Sequence, residues 1–165
     1  MRFSLPATDG TTHEPGGAAA TVVVFTCNHC PYALAWHDRL MTVARDYRDR
    51  DVKVLAINPN DAERYPRDSE DAMRSRVEAG DFDGVPYLVD TTQEVARAYE
   101  ARTTPDVYVL DADLALRYRG APDADHGDPS LEAAWLRGAL DAVLDGREPD
   151  PARTTPVGCS IKWKG

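Results

Sequence analysis

The stretch Thr21-Val22-Val23-Val24-Phe25-Thr26-Cys27-Asn28-His29-Cys30-Pro31 joins a β-branched, aromatic run to the start of a helical pattern. The run reads as a short strand covered on both faces. Beyond it, Ala33, Trp36, Leu40, Val43, Ala44 and Tyr47 recur at helical spacing and form one stripe to lay against that strand's sheet. Pro31 is compatible with the helix because it falls in the first turn. Both sulfurs of Cys27-Asn28-His29-Cys30 therefore sit at a strand-to-helix junction. Cys27 is expected near the helix N-terminus, where free N–H groups and the macrodipole favour a thiolate. Cys30, three residues on, is expected to share a helix face with it and to close a small disulfide reversibly.

Working outward, Val52-Lys53-Val54-Leu55-Ala56-Ile57 is a second strand, and a helix between two such strands implies a parallel βαβ unit. Asp61 to Gly84 reads as a polar excursion with one surface helix, Asp68 to Val77, whose charges form a solvated face. Val85 to Val89 is an edge strand on account of Pro86. Thr92 is placed to cap a following helix containing Val95, Ala96 and Tyr99. Thr104-Pro105 introduces the strand Asp106 to Leu110, which Asp111-Ala112-Asp113 turns into Leu114 to Tyr118. A last helix is predicted from Asp128-Pro129 to Gly146, with Leu136, Leu140, Val143 and Leu144 on its apolar face. Residues 1–20, with a candidate strand Phe3 to Leu5, form a lead-in. Residues 147–165 form a Pro-rich tail whose Val157, Cys159, Ile161 and Trp163 suggest docking.

At 165 residues the chain is expected to form one domain, 1–165, with a core that needs no disulfide staples. A net charge of -9 argues against nucleic acid and anionic membranes as partners, and no apolar run reaches spanning length. Three cysteines, and a start lacking the pattern of a secretory signal, point to the cytoplasm. There a permanent disulfide is disfavoured, which leaves Cys27 and Cys30 a catalytic or metal-binding role.

The order β, Cys-x-x-Cys, α, β, α, Thr-Pro-β, β-hairpin, α resembles the thioredoxin fold over roughly Thr21 to Gly146. The expected architecture is α/β: a central mixed β-sheet flanked by helices, with an N-terminal strand extension and an insertion after the second core strand. Thr104-Pro105 matches the family's cis-proline position. The long insertion resembles the redoxin branch, which includes peroxiredoxin-like proteins and thiol reductases. Within that branch, Cys-Asn-His-Cys-Pro-Tyr and the ending Gly-Cys-Ser-Ile-Lys-Trp resemble small bacterial thioredoxin-like proteins.

The resemblance implies a thiol-disulfide oxidoreductase in which Cys27 attacks and Cys30 resolves the mixed disulfide. Thr26, Asn28, His29, Pro31, Thr104 and Pro105 would support the site. In the family the proline loop lies beside the sulfurs and offers main-chain pairing to an extended substrate. No cofactor or bound metal is expected. A disulfide-containing protein or small molecule is the implied substrate, and a thioredoxin reductase or glutathione the implied donor. Thr26, Asn28 and His29 depart from thioredoxin's own motif, and His29 would stabilise the thiolate and make the couple less reducing. Thr21 stands where thioredoxin buries an acid, so Asp61 or Glu63 is the expected substitute.

Each of these residues also has a plain structural reading. Cys27 and Cys30 would be inert buried thiols, Thr104-Pro105 an ordinary trans edge proline, and His29 a surface residue. Cys159 reads either as a third redox thiol or, in preference, as a tail cysteine packed as a small hydrophobe. His13, His37 and His126 read as solvent-facing or structural, and Trp36, Trp135 and Tyr108 as core. Two other functions compete with the reductase. A zinc or copper module would use the two thiolates with His29 or a folded-back Cys159, like a copper chaperone. A thiol peroxidase of the peroxiredoxin kind would want Pro-x-x-x-Thr-x-x-Cys, whereas Val24 lies three before Cys27.

Overall fold

A computed structural model describes residues 2–165. Its centre is a five-stranded mixed sheet in the order β5-β4-β3-β7-β8. Strand β3 (Ala20–Phe25) lies in the middle, parallel to β4 (Val52–Asn58) and antiparallel to β7 (Asp106–Asp111). The edges are β5 (Tyr87–Val89), parallel to β4, and β8 (Leu116–Gly120), antiparallel to β7. The expected α/β architecture with its mixed sheet is thus the one found.

All six residues of β3 are buried because both faces of the sheet are covered. Val22 and Val24 face one cluster, in which Trp36, Leu40, Val43, Ala44 and Tyr47 of α1 (Pro31–Tyr47) meet Leu136 and Leu140 of α4 (Ala134–Leu144). Val23 and Phe25 face the other, with Leu55, Ile57, Leu88, Tyr99 and Tyr108. The period-2 split of β3 and the helical stripe of α1 are the two patterns visible in the chain. At about 1.5–3 kcal/mol for each large apolar side chain buried, these faces dominate the stability of the fold.

Several boundaries move, each for a local reason. The first strand is β1 (Leu5–Pro6), paired with β2 (Thr12–His13), rather than Phe3 to Leu5. The excursion's helix is α2 (Glu70–Glu78), because Ser69 rather than Asp68 is its N-cap and accepts the Ala72 N–H. The short α3 (Glu94–Ala98) is held less by Thr92 than by Asp90, whose carboxylate accepts the Val95 and Ala96 N–H groups. Leu114 adopts a left-handed turn conformation, so the hairpin's return strand begins at Leu116. Asp128-Pro129 starts only a 3-10 turn; Glu132 and Ala133 have positive φ, and α4 begins after them. Gly146, at φ +71°, ends that helix as expected.

The tail runs back across the molecule. Lys162 donates its N–H to Asn60 Oδ1, while its carbonyl accepts from Asp61 N and Gln93 Nε2. Ile161 is buried in the second cluster, and Arg97 lies over the Trp163 ring. A small ladder joins β6 (Thr103–Thr104) to β9 (Cys159–Ser160), with Thr104 opposite Cys159.

Candidate active site at the Cys27-Cys30 dithiol

Sheet register places the site. Phe25 ends β3 opposite Asp106, so the same antiparallel register carried two residues further sets Cys27 beside Thr104. The Thr104–Pro105 bond is cis, as the motif order implied. Thr26 is held by its N–H to the Ile57 carbonyl, 2.8 Å. The helix begins at Pro31 with Cys30 as its N-cap, in extended conformation (φ -75°, ψ 125°). The two cysteines therefore bracket a turn ahead of the helix instead of sharing one of its faces.

That turn brings the sulfurs together by donors. Cys30 donates its backbone N–H to Cys27 Sγ at 3.3 Å, and the Thr104 hydroxyl lies 3.3 Å from the same sulfur. Cys30 Sγ lies 3.1 Å from the Thr104 carbonyl oxygen, to which only an S–H donates. The two thiols titrate as a pair that shares a proton, one ionisation well below and one well above an ordinary thiol. With the shared proton on Cys27, this sharing, then burial and the Asp68 carboxylate, push Cys27 up, while Cys30 falls to about 4. The surrounding groups favour the opposite placement: the Cys30 N–H points at Cys27 Sγ, the Thr104 hydroxyl can donate to the same sulfur, and a carbonyl faces Cys30. The thiolate accordingly belongs on Cys27 and the proton on Cys30.

The other wall is built on Asp68, whose side chain is fully buried. Its Oδ1 accepts the Asn28 N–H at 2.7 Å and Asn58 Nδ2 at 3.0 Å, and its Oδ2 accepts Asn60 Nδ2 at 3.0 Å. His29 Nδ1 lies 2.6 Å from Oδ2, and the His29 ring stacks on Tyr65. Asn28 is further tied through its side chain, with Nδ2 on the Arg67 carbonyl and Oδ1 accepting from Arg76 and the Tyr87 hydroxyl. Asn28 and His29 are thus anchored residues of the loop. The charge of the excursion, read as a solvated face, includes this buried carboxylate.

Asp61 and Glu63 do not play the part expected of them: Asp61 accepts the Glu63 N–H and donates its own to Lys162, and Asp68 is the acid beside Cys27. Asp68, Asn58, Asn60, Arg76 and Tyr87 were all missed. The chain offers only a weak sign of them, Asn58-Pro59-Asn60 directly after a strand, because their meeting depends on how the excursion folds back. Thr21 instead anchors the lead-in by accepting the Gly16 N–H.

Cys159 comes to the pair. The β6–β9 ladder and Gly158 bring it there, and it packs against the cluster of Cys27, Cys30 and Ala33. Burial, then the neighbouring Cys30, push the Cys159 thiol up to about 11. The tail also lies on the very edge of Thr104 that the family offers to an extended substrate. His37 is buried against Phe82 and the Asp81 carbonyl, and His126 packs on Tyr32, so both are structural. Trp36 is core and donates to buried Asp123.

A central mixed sheet, a dithiol at the head of α1 and a cis-proline facing it define a thioredoxin-like redoxin, a thiol-redox class. The chain belongs to the AhpC/TSA family, whose profile matches residues 1–119. It is 42% identical to an uncharacterized conserved protein from Geobacillus kaustophilus, over 99% of this chain and 89% of that one, with a TM-score of 0.93. A hypothetical protein from Sinorhizobium meliloti 1021 is 34% identical over 100% of this chain and 92% of its own, TM-score 0.92. The exposed lipoprotein thioredoxin of Streptococcus pneumoniae strain TIGR4 shares the fold at 20% identity, with 81% and 98% covered and a TM-score of 0.62. No curated protein shows significant similarity to the chain.

Proposed function

We propose that the protein is a thiol-disulfide oxidoreductase in which Cys27 attacks a substrate disulfide and Cys30 resolves the mixed disulfide. The observation that carries this reading is the convergence of the Cys30 N–H and the Thr104 hydroxyl on Cys27 Sγ, with the Cys30 thiol beside it. The Cys27 thiolate attacks one substrate sulfur and expels the other as a thiolate. Cys30 then gives up its proton and attacks Cys27 Sγ, which releases the reduced substrate and leaves the Cys27–Cys30 disulfide. Two electrons from a thiol donor, a thioredoxin reductase or the glutathione pool of a reducing cytoplasm, restore the dithiol. The substrate is a protein or small-molecule disulfide.

The test is equilibration with glutathione followed by alkylation of the free thiols. A reversible Cys27–Cys30 couple is expected, less reducing than the roughly -270 mV of thioredoxin and toward the roughly -180 mV of protein disulfide isomerase. Absence of a reversible disulfide overturns the reading.

One observation favours a second reading as a metal-binding module. Ligand atoms of Cys27, His29 and Asp68 lie within 4.8 Å of one another, a soft, a borderline and a hard donor. Both Asp68 oxygens already accept amide hydrogens, which ranks this below the redox reading. Zinc or copper retained at one equivalent through purification would promote it. Peroxide consumption by the reduced protein, expected to be negligible, separates both from a peroxidase.

A further inference from the structure

Cys27 and Cys30 are 1% and 0% exposed, whereas Cys159 is half-buried and keeps contact with solvent. The tail that carries Cys159 is fitted to the site by more than packing. Thr104, which bonds Cys27 through its hydroxyl and faces Cys30 through its carbonyl, is also the ladder partner of Cys159. Gly158 allows this approach, because a Cβ there would collide with the Thr104 carbonyl. Cys159 packs on the small cluster formed by Cys27, Cys30 and Ala33, as does Tyr32 in the first turn of α1. A tail cysteine serving only as a small hydrophobe does not require a strand ladder and a glycine that seat it on the cluster holding the dithiol.

We infer that Cys159 is a third redox thiol that relays the disulfide between the buried pair and solvent. This rests on the oxidoreductase reading above. In the oxidised protein the Cys159 thiolate attacks Cys30 Sγ; the Cys27–Cys30 bond breaks, the Cys30–Cys159 bond forms, and Cys27 leaves as a thiolate. The leaving sulfur receives the Cys30 N–H and the Thr104 hydroxyl, and the proton lost by Cys159 passes to solvent. No oxidant is consumed, since one disulfide replaces another. An external thiolate then attacks the half-exposed Cys159 Sγ and expels Cys30. A second donor thiol resolves that mixed disulfide, so two donor thiols supply the two electrons. Attack at Cys159 Sγ gives the small-thiol donor a route that leaves β9 in place.

The experiment oxidises the full chain with glutathione disulfide, quenches with acid, alkylates and maps disulfides by peptide mass spectrometry. Wild type, Cys27→Ser, Cys159→Ser and Gly158→Ala are compared, with circular dichroism to verify folding. Cys27→Ser is expected to trap a Cys30–Cys159 disulfide, and wild type to show both pairings. Cys159→Ser is expected to form Cys27–Cys30 alone and to be re-reduced by glutathione about tenfold more slowly. Gly158→Ala, which keeps all three thiols, is expected to lose Cys30–Cys159 while retaining Cys27–Cys30. A Cys27→Ser protein carrying only separate glutathione adducts, or a Cys159→Ser protein re-reduced at the wild-type rate, overturns the relay. Failure of wild type to form Cys27–Cys30 overturns the oxidoreductase reading instead, and the two failures are read from different bonds.

Discussion

The two walls of the dithiol are built from different materials. On one side the excursion supplies a buried carboxylate, Asp68, which accepts the Asn28 N–H and the side-chain amides of Asn58 and Asn60. On the other side Thr104 and the tail supply a hydroxyl, a carbonyl, a glycine and a third thiol. The first wall is a closed polar network that fixes the turn and raises the electrostatic cost of a thiolate on Cys27. The second offers donors to Cys27 and covers it. Position is thus set by one wall, while the donors to the thiolate and the access to it are set by the other.

The sharpest break in that comparison is Asp68→Ala. It strands the Asn28 N–H and two buried amides, and is expected to cost about 3 kcal/mol in thermal or urea unfolding. Asp68→Asn, which keeps the shape, should cost less. If both leave stability unchanged, the polar wall does not hold the loop.

On the other wall, Thr104→Val removes the hydroxyl donor without changing the side chain's volume much. Alkylation of the reduced protein by iodoacetamide at neutral pH is expected to slow up to about tenfold, as thiolate on Cys27 loses one hydrogen bond, with unfolding midpoints little moved. A loss of stability without a change in alkylation rate would reverse the roles assigned to the walls.

The thiol pair itself gives a pH signature. Thiolate absorbance near 240 nm is expected to persist well into the acid range and to disappear only as pH falls through about 4, the lower ionisation of the pair. In Cys30→Ser the sharing partner is gone, and the transition should move up toward the ordinary thiol range of roughly 8.5.

The smallest effect lies outside the site. Burial, the leading cause, lowers the His37 pKa from its usual 6.5. Below 6.5 the unfolded chain binds a proton that the folded chain refuses. The contribution of His37 is therefore intact above 6.5 and is lost as pH falls toward the lowered folded value. Urea unfolding of wild type and His37→Gln should diverge in slope over that window and run parallel above it.

Residues that act through local chain geometry were legible in advance. The β3 run, the α1 stripe and the Cys-x-x-Cys junction are written in consecutive residues, and so is Thr104-Pro105 before its strand. Asp68 was misread because a charge in a polar excursion looks solvated until its partners Asn28, Asn58 and Asn60 are known. Cys159 was read mainly as tail packing, since nothing near it in the chain names Thr104 as its strand partner.

The class of chemistry is written locally in the chain: periodicity fixes which faces are buried, and two cysteines at a strand-to-helix junction fix where thiols meet helix dipole and backbone donors. Which carboxylate stands beside Cys27, and that Cys159 packs against the dithiol cluster, emerge from the folded chain alone. Those pairings span about 40 and 130 residues of chain, Cys27 to Asp68 and Cys30 to Cys159. Contacts of that separation are set by sheet register and loop packing, which no local pattern of residues encodes.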